Sequence, residues 1–240
     1  MLEVTALSKS FGKVQAVKDF SFSVKAGEIL GLIGPNGAGK TTVLRCICSI
    51  IRPDKGKIKI NGYDLFENPI QAKQQLAFVP EIPYPINFLT VEEHVRFSAR
   101  IFNLTDWEKK ADDMIRKFDL DEKRKELVNY LSKGQKQKVN IISSFIHDPQ
   151  IILLDEPLYG IDPKGGKYLK DLIRAAKDRN AVVVISSHML GLVEELATKI
   201  LIMSKGEKLT EGTIDEIAKI AHLKQDSRLE DVFIEITANK

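Results

Sequence analysis

One octapeptide constrains this chain more than any other feature: Gly34-Pro35-Asn36-Gly37-Ala38-Gly39-Lys40-Thr41. It fits G-x-x-x-x-G-K-[ST], a pattern that folds as a tight loop between a strand and a helix. The flanks agree. Glu28 to Ile33 is a mostly apolar run that reads as a strand, and a helix is expected from about Lys40 to Ile50. Glycines let backbone N–H groups converge on phosphate oxygens, and the helix N-terminus adds partial positive charge. Lys40 is then the group that reaches terminal phosphates and the Thr41 hydroxyl is a ligand for Mg²⁺, with Thr42 the last residue of the nucleotide-binding set.

A second segment supplies the complementary chemistry. Ile151-Ile152-Leu153-Leu154-Asp155-Glu156 is an apolar strand ending in two carboxylates. The first suits a metal shell and the second suits polarising a water. Phosphoryl transfer needs both, because a nucleophile must be held in line while charge around the transferring group is neutralised. Paired acids after a strand can also cap a helix, but the phosphate loop upstream favours the chemical reading. Together the two segments point to a nucleoside triphosphatase of α/β class.

The remaining sequence organises around these. Strands are expected at Leu2 to Leu7, Phe20 to Val24, Gly56 to Ile60 and Leu76 to Val79, with a short helix around Ile70 to Gln75. Beyond Glu81, Pro83 and Pro85 interrupt the chain and about 60 residues read as helical. Thr90-x-x-Glu93 and Thr105-x-x-Glu108 are capping boxes in which threonine and glutamate satisfy orphan backbone donors. Asp162-Pro163 opens a helix between strands at Ile151 to Leu154 and Ala181 to Ile185, a β-α-β crossover. Ile200 to Met203 and Lys208 to Thr210 flank Lys205-Gly206 as a hairpin, and Thr213-x-x-Glu216 and Ser227-x-x-Glu230 open two terminal helices.

Composition narrows the setting. The chain has 240 residues, 43% hydrophobic and 29% charged, the balance of an ordinary globular protein. The net charge of +3 is scattered, and Lys133, Lys136 and Lys138 read as a solvated helix face in preference to a nucleic-acid stripe. No apolar run approaches the length of about 18 residues that crosses a bilayer, and Met1-Leu2-Glu3-Val4 has no secretory character. The expected location is the cytoplasm. Cys46 and Cys48 are two apart on a helix, so they read as small core residues in a reducing compartment.

Which kind of triphosphatase is decided by Leu131-Ser132-Lys133-Gly134-Gln135, which resembles the L-S-G-G-Q signature of ABC-type ATPases. Asp155-Glu156-Pro157, Gly160-Ile161-Asp162 and Ser186-Ser187-His188 follow in that family's order and spacing. The resemblance covers nearly the whole chain. It implies a P-loop NTPase core with a mixed sheet and an N-terminal antiparallel β subdomain, spanning residues 1–81 and 148–240, and an inserted α-helical signature subdomain at 82–147. It also implies an ATP-binding and ATP-hydrolysing transporter subunit. ATP is sandwiched between two copies, with Ser132, Gly134 and Gln135 of one facing the phosphate loop of the other.

Residue by residue, the resemblance implies Phe11 stacking on adenine, Glu156 as the general base, His188 sensing the γ-phosphate and Asp162 linking the two sites across a dimer. An ordinary core aromatic is the alternative for Phe11, and a satisfied surface histidine for His188. Two positions depart from the family's pattern. Glu81 stands where a glutamine usually touches Mg²⁺ and the attacking water, and a carboxylate can ligate the metal but cannot donate an amide hydrogen bond. Lys133 replaces the first signature glycine.

The family's helical lobe and the Glu81 loop receive a short helix of a membrane subunit, for which Ile82, Tyr84, Phe88 and Leu89 are the apolar candidates. An ending soon after Leu229-Glu230-Asp231-Val232-Phe233 is similar to ATPases of short bacterial ABC-2 type exporters, so export is favoured. Two alternatives remain: a soluble ABC-type ATPase acting on a ribosomal or nucleic-acid partner, and a regulatory nucleotide-binding module with weak turnover.

Overall fold

A computed structural model of the chain describes residues 1–224 and 227–238. The N-terminal strands β1 (Leu2–Phe11) and β2 (Val14–Val24) form a long antiparallel pair, considerably longer than the apolar alternation alone suggests, whose register shifts between Val4 and Ser10. After β3 (Ile29–Ile33) and α1 (Lys40–Ile47), β4 (Lys55–Ile60) and β5 (Tyr63–Asp64) complete a four-stranded antiparallel sheet in the order β2-β1-β4-β5. Then come α2 (Pro69–Lys73) and β6 (Leu76–Val79), followed by α3 (Val91–Ile101), α4 (Glu108–Lys117) and α5 (Lys133–Phe145). The crossover is β7 (Ile151–Asp155), α6 (Pro163–Asp178) and β8 (Val182–Ser186), and the chain continues through α7 (Leu190–Leu196), β9 (Lys199–Ser204), β10 (Glu207–Gly212), α8 (Ile214–Ile220) and α9 (Leu229–Ala238).

The second sheet has six strands in the order β10-β9-β3-β8-β7-β6, parallel throughout except for β10. Its central strands are buried along their whole length, as expected of a parallel sheet covered on both faces. The two-residue period sorts their side chains cleanly. Ile152, Leu154, Val183 and Ile185 join the core beneath α3, α5 and α6. Ile151, Leu153, Val182 and Val184 join the core shared with α1 and the antiparallel sheet. Each such side chain removed from water contributes roughly 1.5–3 kcal/mol, so register in this sheet is firmly set.

Capping chemistry places the helices. Thr90 and Glu93 form the expected box at α3, and Thr213 and Glu216 do so at α8. Asp162 caps α6 through Gly165 N at 2.8 Å. Two expected boxes do not form. Helix α4 begins at Glu108 with Trp107 at its cap, too late for Thr105 to reach it. Ser227 donates its hydroxyl to Lys224 O at 2.7 Å instead of capping α9, which starts at Leu229. Helix α5 is stitched to the end of β6 by Gln137 Nε2 on Pro80 O at 3.1 Å and Ser144 Oγ on Phe78 O at 3.2 Å.

Strand order decides where the chemistry sits. With β3, β8, β7 and β6 adjacent, their carboxyl ends bring the phosphate loop, Ser186 to His188, Asp155 with Glu156, and Glu81 onto one edge of the sheet.

Candidate active site

The chain leaves β3 at Gly34 and re-enters regular structure at α1. Gly39 occupies the cap in the left-handed region, at φ 107°, and a Cβ there would stand 2.5 Å from the Ala16 carbonyl oxygen. Only glycine fits. No side chain caps α1 and its first turn holds no acid, which leaves its orphan N–H groups to a bound anion. Lys40 is buried and its Nζ donates to Gly34 O at 2.7 Å and Pro35 O at 3.2 Å. Burial lowers its pKa, opposed by the charges of Glu156, Asp155 and Glu81.

Asp155 closes β7 and is buried, with Oδ1 lacking any hydrogen-bond partner. Burial raises its pKa, the Thr41 and Ser186 hydroxyls beside it lower it, and the charges of Glu81 and Glu156 raise it again. A buried, unpartnered carboxylate oxygen next to a threonine hydroxyl is an all-oxygen donor pair suited to a hard cation. Among the described residues no cluster of three or more His, Cys, Asp or Glu side chains is arranged to hold a metal ion. Mg²⁺ does not require one, because it keeps several waters and takes substrate phosphate oxygens. The residues fit that ion.

Glu156 sits at φ 46°, a left-handed conformation that costs a non-glycine residue roughly 1–2 kcal/mol and is over-determined here by its neighbours. Its N–H donates to Ser186 O at 2.8 Å. Its carboxylate accepts from Ser187 Oγ at 2.9 Å and from the His188 N–H at 2.7 Å, and meets His188 Nδ1 at 2.8 Å.

These groups share one cavity of about 400 Å³, lined by Asn36, Gly37, Ala38, Gly39, Lys40, Thr41 and Thr42 from the loop and by Glu81, Asp155, Glu156, Ser186 and His188 opposite. Ala16 adds a wall that the motifs do not flag. Gly34 and Pro35 stand behind the loop as acceptors for Lys40. Phe11 does not line the cavity: it ends β1 with 48% of its surface exposed and Lys9 Nζ 5.6 Å from its ring centroid. It is therefore no core aromatic.

Residues 17–159 match the family described as ABC transporter, which spans more than half of the chain. The chain belongs to the ABC transporter family. As such it is an ATP-hydrolysing transporter subunit. It is 33% identical to the ABC-type transporter ATP-binding protein EcsA of Bacillus subtilis, over 99% of this chain and 96% of that protein. It is 31% identical to the SkfA peptide export ATP-binding protein SkfE of the same organism, over 94% and 95%. A solved structure of the ATP-binding subunit of an ABC transporter superposes with a TM-score of 0.94 at 33% identity, covering 99% of both chains.

In this ABC ATPase the signature residues lie apart from the cavity. Ser132 caps α5 in a reciprocal box, accepting from Gln135 N at 3.2 Å while Gln135 Oε1 accepts from Ser132 N at 2.9 Å. The S-x-x-Q spacing carries this cap and starts α5 at Lys133. Gly134 lies against the loop that follows Glu156, where a Cβ would stand 2.1 Å from the Gly160 carbonyl oxygen. Asp162, besides capping α6, pairs with the buried Lys138, so its nearest charge partner is in its own chain.

Proposed function

We propose that the cavity binds ATP together with Mg²⁺ and hydrolyses it with Glu156 as general base, in a dimer of two copies seated on a separate membrane subunit. The single observation that carries this is the convergence of Lys40, Thr41, Asp155, Glu156 and His188 on one cavity at the carboxyl edge of the sheet. Lys40 exchanges the carbonyls of Gly34 and Pro35 for terminal phosphate oxygens, and the α1 N–H groups receive the remaining phosphate charge. Thr41 and Asp155, with Glu81 beside them, hold Mg²⁺, which when bound neutralises phosphate charge. Glu156 orients a water and accepts its proton; His188 and Ser187 fix that carboxylate, and the exposed part of the imidazole faces the γ-phosphate. The exposed ring of Phe11 stacks on adenine.

Ser132, Gly134 and Gln135 complete the site of the second copy, since none lines the cavity of its own chain. Asp162 lies at the contact between copies. Residues 82–147 act as the helical signature subdomain, and 1–81 with 148–240 as the ATPase core. The membrane subunit docks near Glu81, Tyr84 and Phe88. Phe88 is 88% exposed, and Tyr84, 73% exposed, lines a cavity of about 470 Å³ together with Ile50 and Phe78. No helix of the described residues is long and apolar enough to cross a membrane. The chain works on the cytoplasmic face through that subunit, in the direction of export, as the relation to a peptide-export ATPase supports.

The direct test is an equilibrium ATP titration of Lys40→Ala. Binding should be lost with the circular dichroism spectrum intact; parent-like affinity would remove the loop from the site.

A further inference from the structure

The strand that carries Phe11 loses one of its two neighbours before it reaches that residue. Pairing of β1 with β4 runs from Leu2 opposite Ile60 to Ser8 opposite Lys55 and stops there. On the other side β1 stays paired with β2 as far as Phe11 opposite Val14, through register shifts between Leu7 and Ser10. Phe11, Gly12, Lys13 and Val14 are all exposed. A two-stranded tip of this kind has little of its own to fix a side chain.

Asp54, the residue before β4, takes over where the ladder ends. Its N–H donates to Ser8 O at 2.8 Å. Its carboxylate accepts from Ser10 N through Oδ2 at 2.7 Å and from Lys9 Nζ through Oδ1 at 2.8 Å. One residue thus holds the three consecutive residues that lead into Phe11. The Lys9 ammonium and the Ser10 N–H keep the Asp54 carboxyl below its ordinary pKa, so it is a carboxylate at neutral pH. Lys9 in turn has only 16% of its side chain exposed, and its ammonium stands 5.6 Å from the centroid of the Phe11 ring, within reach of a cation-π contact. A cation over one face of the ring leaves the other face for a planar partner.

We propose that Asp54 is a positioning residue for the nucleobase: by holding Lys9 and Ser10 it sets the Phe11 ring where the base of ATP stacks. This inference rests on the reading of Phe11 as the stacking residue. Stacking uses the flat face of the base, and a ring already held in place avoids the cost of ordering it on binding. The benefit goes only to ligands that carry a base. A bare triphosphate meets the phosphate loop and gains nothing from the end of β1. The brace is also remote from the reacting atoms, so it favours ground state and transition state alike and acts on KM without kcat.

The test compares equilibrium binding of ATP and of inorganic tripolyphosphate to the full-length chain in the presence of Mg²⁺. Phe11→Ala should weaken ATP binding about tenfold and Asp54→Ala about fivefold, with tripolyphosphate binding unchanged in both. In the Phe11→Ala background Asp54→Ala should add nothing, a coupling that a merely structural aspartate does not produce. Lys9→Met leaves both Asp54 contacts to the backbone in place; it should weaken ATP binding about threefold, and Lys9→Arg should restore it. For Asp54→Ala and Lys9→Met the loss should appear in KM for ATP with kcat unchanged. If Phe11→Ala is weakened, three results overturn this inference alone: parent-like ATP binding by Lys9→Met, an equal effect of Asp54→Ala with and without Phe11, or a matching loss of tripolyphosphate binding by Lys9→Met. Parent-like ATP binding by Phe11→Ala overturns the stacking reading, and this inference with it.

Discussion

Glu156 Oε1 is held twice by the same residue, by the backbone N–H of His188 at 2.7 Å and by its Nδ1 at 2.8 Å. A carboxylate offers only lone pairs, so the second contact requires Nδ1 to carry the proton, leaving Nε2 for the substrate side. The backbone contact survives truncation of the ring. His188→Ala should therefore lower kcat by about 10²-fold with a KM for ATP within a few-fold of the parent, because it removes an interaction made at the reacting centre. Steady-state ATPase kinetics check this, and an unchanged kcat would demote His188 to a surface residue.

Gly134 allows a test whose sign is informative. Gly→Ala inside a helix normally stabilises by about 1 kcal/mol. Here the added Cβ would lie 2.1 Å from Gly160 O, and neither backbone can yield without moving the Glu156 turn. Gly134→Ala should destabilise by about 1–3 kcal/mol in urea denaturation and depress ATPase activity at the same time. A stabilised Gly134→Ala protein would mean that the contact is loose.

Much of this site was legible in the sequence because phosphate chemistry needs fixed residue types at fixed spacing. The loop, the two acids at the end of β7 and Ser186 to His188 all fall within eight residues of a strand end, where local sequence dictates position. What escaped depends on contacts distant in sequence. Ala16 lines the cavity because the antiparallel sheet packs against the loop, and no local pattern encodes that. Ser187 was visible only as part of a motif, although its hydroxyl is one of the donors that fix Glu156. The Thr105 and Ser227 boxes failed because side-chain spacing permits a cap without obliging the helix to begin there. Phe11 lies beyond the strand expected at Leu2 to Leu7, and its exposure is set by how far β1 extends.

His147 gives a pH prediction independent of catalysis. Its ring stacks on Phe102 with centroids 3.6 Å apart, and neither ring nitrogen has a hydrogen-bond partner of good geometry. Burial lowers its pKa to about 4 from an ordinary 6.5. The unfolded chain then binds more protons between these values, so stability is complete above pH 6.5 and is lost as pH falls toward 4. The loss at pH 5 is about 2 kcal/mol. His147→Phe keeps the stacking and should flatten the acid limb in denaturation curves at pH 5 and 7.5. Parallel losses in both proteins would assign the acid limb to other groups.

Glu81 adds a negative charge at the cavity, and its field reaches both Asp155 and Lys40. Replacing it by an amide of the same shape removes the repulsion toward phosphate and keeps an oxygen for the metal. Glu81→Gln should retain or raise ATPase activity and lower the Mg²⁺ concentration for half-maximal ATP binding. Superimposable Mg²⁺ titrations would place Glu81 outside the metal's surroundings, and a higher Mg²⁺ requirement would make the carboxylate a productive ligand.

The most direct measurement is single-turnover hydrolysis by Glu156→Gln with γ-labelled ATP, alongside ATP binding by the same protein. The amide keeps the shape and the donors from Ser187 and His188 while removing the base. ATP affinity should stay within a few-fold of the parent while the rate of phosphate release falls by about 10²-fold or more. Phosphate release at the parent's rate, with ATP bound normally, would contradict Glu156 as the group that activates water.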